Sequence, residues 1–88
     1  MAEVFEYDVT KSKSNQLKHG IDFEQAQLLW NDPQRVEVRA KDTTEPRFMI
    51  IGQIATKHWF AIVTYRKRNI RIISVRRSRD NEVKFYES

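Results

Sequence analysis

The chain has 88 residues, 40% of them apolar, with no cysteine and a formal net charge of +4. This length and composition predict one small domain, spanning residues 1–88, and exclude disulfides and cysteine-ligated metal sites. The N-terminal segment lacks a basic region followed by an apolar run, and no apolar stretch approaches the roughly 18 residues of a membrane span. We therefore expect neither a signal peptide nor a membrane segment, and a cysteine-free chain fits the reducing cytoplasm.

The first part of the chain predicts a short strand followed by a helix. Residues 4–7 have the apolar content of a strand, and Asp8 is placed to cap a helix that continues to about His19. Gly20 then provides a C-terminal stop. Lys18 and His19 fall in the last turn, where positive charge suits the helix dipole.

A second helix is expected to begin at Asp22, because Asp22 and Gln25 have the spacing of a capping box. Its apolar positions recur at helical intervals, at Phe23, Ala26 and Trp30. Pro33 follows closely and disfavours continuation of the helix.

Most of the remaining chain predicts a sheet. Four runs rich in Val, Ile and aromatic residues are typical of strands, at residues 35–40, 48–54, 58–65 and 70–75. Residues 41–46 form a polar loop, and the short connections favour antiparallel neighbours. In the turn at residues 66–69, Asn69 is the residue best suited to a left-handed backbone conformation.

A final helix is predicted from Arg79 or Asp80 to Glu87, with Val83 and Tyr86 facing the core. The order of elements is strand, two helices, four strands and one helix, or the same order without the first strand. Helices that precede and follow a run of neighbouring strands indicate the α+β class.

The acidic residues all lie outside one part of the chain. Residues 46–79 contain nine Lys or Arg and no Asp or Glu, and we call them the acid-free block. Seven of the nine cations cluster near its end, namely Arg66, Lys67, Arg68, Arg71, Arg76, Arg77 and Arg79. Such local charge attracts a polyanion, and nucleic acid is the foremost candidate. The alternative is a solvated turn and a partner-facing edge.

Regular strand alternation would place Arg76 on the same face as Ile70, Ile72 and Ser74. We therefore expect its guanidinium to be partly covered. A partly covered guanidinium can hold a phosphate through two parallel hydrogen bonds in a weakly screened site.

On the first predicted helix, Lys11, Asn15 and Lys18 form a polar stripe, with His19 one position further round. The stripe is either a solvent-exposed face or part of a site. His19 is either a helix-end cation or a proton carrier near neutral pH. His58, in an apolar strand, is interpreted as packed or surface-exposed, without a role in the reaction. The two histidines lack neighbouring metal-ligand residues and no cofactor motif is present, so no metal or cofactor is expected.

These residues together resemble the BrnT family of toxins. The resemblance begins with Phe5–Asp8, Lys11, Asn15 and the run Lys18–Ala26, which opens with Lys-His-Gly. It continues through Arg47, Gly52, Thr64 and the run Arg71–Arg76, and it ends at Glu82 and Tyr86. The chain departs from the family pattern at Tyr7, where Trp is usual, and at Val75 and Ser78, where Ala is common.

The resemblance implies a RelE-like α+β fold with two N-terminal helices, a central antiparallel sheet of about four strands and a C-terminal helix. It also implies the toxin of a type II toxin–antitoxin system, an endoribonuclease that arrests translation and growth. The expected partners are an RNA substrate and a BrnA-type antitoxin of the ribbon-helix-helix type. Operator DNA would be bound only through that antitoxin.

RNA can be cleaved without a metal ion when its 2′-hydroxyl attacks the adjacent phosphate, a reaction that needs a base, an acid and cations. We expect His19 to transfer protons, Lys18 to contact phosphate or assist as a base, and Arg76 to stabilise the transition state. Glu82 is expected to act as a base or to orient Arg76. Substrate binding is assigned to six further cations, namely Arg66, Arg68, Arg71, Arg77, Arg79 and Lys11.

Two other functions fit the same charges. A non-catalytic nucleic-acid-binding module or corepressor would use its cations only to hold phosphate. Alternatively, the basic face would be the docking surface for an acidic antitoxin segment. Cleavage of RNA in the presence of a chelator distinguishes a metal-free enzyme from both.

Overall fold

The computed structural model describes residues 4–40 and 45–88, which form five strands, three α-helices and one short 3-10 helix. The elements are β1 (Val4–Glu6), α1 (Val9–His19), α2 (Phe23–Ala26), the 3-10 helix (Gln27–Asn31), β2 (Val36–Arg39), β3 (Phe48–Ile54), β4 (Lys57–Arg66), β5 (Asn69–Arg77) and α3 (Asp80–Glu87). The α+β class is therefore confirmed. Residues 41–44 of the predicted loop lie outside the described residues. None of the helices in the described ranges is long and apolar enough to cross a bilayer.

The predicted caps of the N-terminal helices are present, but the second helix is an α-helix only over Phe23–Ala26 and continues as a 3-10 helix over Gln27–Asn31. The Asp8 carboxylate accepts a hydrogen bond from the backbone N–H of Lys11 at 3.1 Å, and Gly20 ends α1 with a φ of 77°. Glycine adopts this left-handed conformation without a steric penalty. Asp22 and Gln25 form both hydrogen bonds of a capping box, at 2.8 and 3.2 Å.

The sheet has five strands in the order β1-β5-β4-β3-β2. The pairs from β2 to β5 are antiparallel, as predicted, but β1 is parallel to β5. The expectation of a purely antiparallel sheet of four strands is therefore wrong in strand number and in one pairing. The sequence argument used short connections, whereas β1 and β5 are separated by most of the chain, so no hairpin dictates their direction.

A β-bulge interrupts the pairing of β4 with β5. Ile62 pairs with Ser74, whereas the next residue, Val63, pairs with Ile72. Ile73 is therefore an extra residue with no partner opposite it on β4, as in a β-bulge. The bulge displaces by one position the alternation of the side chains that follow it.

This displacement changes the surroundings of Arg76. Val75 now follows Ile70 and Ile72 onto one face of the sheet, and all three are buried. Arg76 lies on the other face, opposite Phe60 of β4. The prediction that Arg76 shares a face with Ile70 and Ile72 is wrong, because it assumed regular alternation.

The hydrophobic core lies between the sheet and the segment containing α2 and the 3-10 helix. Its fully buried apolar side chains come from the sheet and from this segment. The largest are Phe23, Leu29, Ile50, Ile72, Val63 and Val75. We call this side of the sheet the helix face and the other side the opposite face. Burial of this apolar surface is the main stabilising contribution to the fold.

The C-terminal helix α3 packs on the opposite face without burying any residue completely. Val83 and Tyr86, predicted to face the core, are half-buried there. The Tyr86 ring meets His58 of β4 edge-on, with 5.0 Å between ring centroids, so His58 has a packing contact as expected.

A two-residue turn joins β4 to β5. Lys67 and Arg68 have φ values of 49° and 75°, whereas Asn69 is already paired with Arg66 in the sheet. The prediction of a left-handed Asn69 is therefore wrong. Two-residue hairpins match the strand twist when both turn residues are left-handed, even when neither is glycine or asparagine.

Candidate functional site

A groove between α1 and β5 brings three of the predicted site residues together. Its volume is about 220 Å³, and it is lined by Lys11, Ser14, Asn15, Lys18, His19, Phe23, Ile73 and Ser74. We call it the α1–β5 groove. Its helix wall carries the cationic stripe of α1, and its strand wall is the β-bulge.

Asn15 joins the two walls of the groove. Its side-chain N–H groups donate to the carbonyl oxygens of Ile21 and Val75 at 2.8 and 2.9 Å, and its Oδ1 accepts from the Val75 N–H at 3.3 Å. Asn15 is buried, whereas Lys11 and Lys18 on either side of it are exposed. The predicted stripe is therefore an exposed pair of lysines around a buried amide.

Lys18 and His19 are exposed in the last turn of α1, where both suit the negative end of the helix dipole. Within residues 4–40 and 45–88, neither side chain forms an ion pair. In the same part of the chain, no three His, Asp or Glu side chains are grouped so as to hold a metal ion. The groove thus offers an exposed imidazole and two ammonium groups beside a strand backbone.

Arg76 and Glu82 form a two-pronged ion pair. The guanidinium donates to both carboxylate oxygens at 2.9 and 2.8 Å, and it lies 4.1 Å from the centroid of the Phe60 ring. The side chains are 27% and 14% exposed. The hydrogen bond from Arg76 lowers the pKa of Glu82, which is also supported by the Arg79 N–H, and this outweighs the raising effect of burial. Arg76 and Glu82 are thus brought together, and neither of them lines the α1–β5 groove.

Two of the arginines that were predicted to bind substrate also have carboxylate partners. Arg71 lies 3.5 Å from Glu6 of β1, and Arg66 lies 3.5 Å from Glu45. With Arg76–Glu82, these are the ion pairs found among the described residues. All three arginines lie on the opposite face by strand alternation.

The other predicted cations have no ion pair within residues 4–40 and 45–88. Arg77 ends β5 on the helix face, with its guanidinium 5.5 Å from the centroid of the Trp59 ring. Arg68 is in the hairpin turn, and Arg79 precedes α3. Lys11 and Lys18 line the α1–β5 groove. Unpaired charge is therefore available at α1, at the hairpin turn and at the end of β5.

Sequence reasoning missed a hydrogen-bond network centred on Asp32. The carboxylate accepts from the Tyr86 hydroxyl at 2.6 Å and from the backbone N–H groups of Gln34 and Gln53, each at 2.9 Å. Burial raises the pKa of Asp32, but these hydrogen bonds outweigh it and the net pKa is lowered. The same contact raises the pKa of Tyr86 to about 12. No spacing signal pointed to this pair, because 54 positions separate the two residues.

A protein-family model described as a ribonuclease toxin, BrnT, of type II toxin–antitoxin systems matches residues 7–82. The matched segment includes both walls of the α1–β5 groove and both members of the Arg76–Glu82 pair. A comparison with curated proteins finds no match.

Proposed function

Because the chain belongs to the BrnT family of ribonuclease toxins of type II toxin–antitoxin systems, we propose that it is a metal-independent endoribonuclease whose reaction site is the α1–β5 groove. Cleavage of cellular RNA would arrest translation and growth. The observation that carries the choice of site is the contrast in charge pairing. The groove holds His19 beside two unpaired lysines, whereas the arginines of the opposite face that have ion pairs are already neutralised by carboxylates.

The proposed reaction is attack of the RNA 2′-hydroxyl on the adjacent phosphate. The bond from O2′ to phosphorus forms and the bond from phosphorus to O5′ breaks, giving a cyclic phosphate and a free 5′-hydroxyl. One proton leaves O2′ and one is delivered to O5′. His19 is the group suited to carry a proton near neutral pH. Lys18 and Lys11 would hold the phosphate and stabilise its additional negative charge in the transition state.

The Arg76–Glu82 pair enters the proposal in a different way from the groove. Glu82 already accepts hydrogen bonds from both terminal nitrogens of the guanidinium. Arg76 can therefore hold a phosphate through these nitrogens only after it separates from Glu82. A carboxylate whose pKa is lowered is also a weak proton acceptor at neutral pH. We therefore assign the pair first to holding α3 on the sheet, and keep Arg76 as a transition-state cation only for a state in which that contact is broken.

The same family membership implies an antitoxin partner and an RNA substrate. We propose that the antitoxin is of the BrnA type, with a ribbon-helix-helix domain, and that operator DNA is bound only through it. Covering the α1–β5 groove, or rigidly holding α1, would be sufficient for neutralisation. Purification of the chain with the product of the neighbouring gene tests this part of the proposal separately from cleavage.

The reaction site is tested by comparing His19→Ala with Lys13→Ala. Lys13 is an exposed lysine of the same helix that does not line the groove. We expect His19→Ala to reduce RNA cleavage in EDTA by about 10²–10⁴-fold, the usual contribution of a positioned proton carrier. Growth arrest should be relieved with it, whereas Lys13→Ala should remain as toxic as the wild type. Full toxicity of a folded His19→Ala variant, or a requirement for added metal, would contradict the proposal.

A non-catalytic nucleic-acid-binding function is the second candidate. One observation favours it: within residues 4–40 and 45–88, no carboxylate is bonded to His19 to orient its ring. A salt-sensitive gel shift of RNA without any cleavage by the wild type would establish this function instead.

A further inference from the structure

We propose that Asn15 is the positioning residue of the α1–β5 groove, because it fixes the His19 end of α1 against the bulged strand. This inference rests on the proposed function of the groove. Asn15 would neither transfer a proton nor supply charge to the reacting atoms. It would act by holding the cationic wall and the strand wall at one separation.

The outer edge of β5 explains why an amide is needed at this place. β1 pairs with β5 only as far as Arg71, and in the described residues no strand lies beside β5 after that point. Val75 nevertheless has both of its backbone groups satisfied, because the Asn15 amide donates to its carbonyl and accepts from its N–H. A primary amide offers the same donor and acceptor as a peptide group. Asn15 thus takes the place of a neighbouring strand for one residue, directly after the bulge.

The third hydrogen bond of Asn15 reaches the chain that leaves the end of α1. Its side chain donates to the carbonyl oxygen of Ile21 at 2.8 Å, immediately after Gly20 has ended the helix. Asn15 therefore ties the end of α1, which carries Lys18 and His19, to a strand residue 60 positions after Asn15. Loss of the amide would leave three buried backbone groups without this partner, a costly outcome in a buried site.

Apolar packing cannot replace this tie. The buried residues of α1 are Ser12 and Asn15, so no apolar side chain of the helix is buried in the core. Both residues are 7% exposed. Ser12 accepts a hydrogen bond from the Phe23 N–H at 2.9 Å and does not line the α1–β5 groove. The two residues are therefore matched buried polar contacts, of which one forms the groove and the other does not.

This match supplies the experiment. Urea unfolding is first measured for the variants Asn15→Ala, Asn15→Asp and Ser12→Ala. All kinetic measurements are then made under conditions in which each variant is fully folded. We expect Asn15→Ala to reduce kcat for RNA cleavage by about 10–100-fold, since a displacement of about 1 Å in a site can have that effect. KM should change much less, because flexible lysines still reach phosphate. Ser12→Ala should lose stability but keep kcat within about twofold of the wild type.

Asn15→Asp tests the hydrogen-bond donors at nearly constant side-chain size, with an added negative charge as its second change. It preserves the size of the side chain and an acceptor for the Val75 N–H, but removes the donors to Val75 and Ile21. We expect its kcat to fall with that of Asn15→Ala. An unchanged kcat in folded Asn15→Ala, or an equal loss in Ser12→Ala, would overturn the inference.

A second readout does not depend on cleavage. In NMR spectra, Asn15→Ala should shift the His19 ring signals together with the Ile73 and Ser74 amides, whereas Ser12→Ala should leave all three unchanged. If the wild type cleaves no RNA, the proposed function fails, and these spectra alone decide the role of Asn15. An Asn15→Ala spectrum in which only one of the two signals, that of the His19 ring or that of the Ser74 amide, shifts would then refute this role.

Discussion

At the scale of single residues, two carboxylates anchor the C-terminal helix. Glu82 of α3 pairs with Arg76 of β5, and Tyr86 of α3 donates to Asp32. α3 buries no residue completely, and these polar contacts add to the packing of the half-buried Val83 and Tyr86. The pKa of each carboxyl is lowered in the folded protein, so both contacts make stability depend on pH.

We predict that Glu82→Gln lowers the free energy of unfolding at pH 7 by about 1–3 kcal/mol, the usual range for a hydrogen-bonded charged group. The folded-state pKa of Glu82 lies below its ordinary value of 4.5, so its contribution is present above pH 4.5 and is lost as pH falls through the folded-state value. The difference between wild type and variant should therefore shrink in acid. Urea unfolding at a series of pH values measures it.

Glu87→Gln is the matched control, because Glu87 is an exposed carboxyl of the same helix with no ion pair among the described residues. Its stability should follow that of the wild type at every pH. A constant difference between Glu82→Gln and wild type down to low pH would show that the carboxylate charge is not the stabilising element.

The Tyr86 hydroxyl gives a second prediction, at alkaline pH. Its pKa is raised from 10.0 to about 12, first by the hydrogen bond to Asp32 and then by burial. The contact therefore stabilises the fold below about pH 10 and is lost as pH rises towards about 12. Tyr86→Phe should lower the free energy of unfolding at pH 7 by about 1–2 kcal/mol. In an ultraviolet absorbance titration, it should also remove one phenol from those that ionise near pH 12.

At the scale of elements, the β4–β5 hairpin carries backbone strain at its charged turn. Lys67 and Arg68 both adopt left-handed conformations, at φ values of 49° and 75°. Each such non-glycine residue costs about 1 kcal/mol. Retaining a long cation at Arg68, where glycine would fit better, is consistent with its proposed use in binding RNA.

We predict that Arg68→Gly raises the free energy of unfolding by about 0.5–1 kcal/mol, because glycine relieves the left-handed strain. The same change should weaken RNA binding, because a cation is lost. Arg68→Ala is the control that removes the charge but keeps the strained Cβ. It should weaken RNA binding to the same extent without the gain in stability. Unfolding in urea and RNA binding measured by fluorescence anisotropy provide the two readouts.

The elements that the sequence predicted correctly are those whose signals are local. Asp8, Gly20 and the Asp22–Gln25 pair act within four residues of their partners, so their positions alone indicate the caps. The β-bulge was not predictable in this way. Ile72 and Ile73 are both compatible with a regular strand, and only pairing with β4 reveals that Ile73 is extra.

The candidate site was likewise predictable only where its signals are local in the sequence. Helical spacing grouped Lys11, Lys18 and His19 correctly, because all lie on one helix. The expected face of Arg76 was wrong, since it depended on strand alternation across the bulge. The role of Asn15 was also missed, because its partner at Val75 is distant in the sequence. Catalytic use of any of these residues stays a prediction.

At the scale of the whole molecule, the two sides of the sheet differ in how their positive charge is compensated. On the opposite face, Arg66, Arg71 and Arg76 are paired with Glu45, Glu6 and Glu82. Each carboxylate lies outside the acid-free block, so the fold neutralises part of a charge excess that looks uniform in the sequence. The α1–β5 groove receives no such compensation from the described residues. A polyanion should therefore distinguish the two sides although both are basic.

The salt dependence of RNA binding measures this difference. Each phosphate contact with single-stranded RNA contributes about 0.7 to the slope of log affinity against log salt concentration. We predict that the double variant Lys11→Gln/Lys18→Gln reduces this slope by about 1.4, because two unpaired cations are lost from the groove. The double variant Arg66→Gln/Arg71→Gln removes the same formal charge of two, but its arginines are already paired with carboxylates. Its slope should stay close to that of the wild type. Equal reductions in both variants would mean that RNA responds to total charge, and the assignment of the groove as the RNA site would then be wrong.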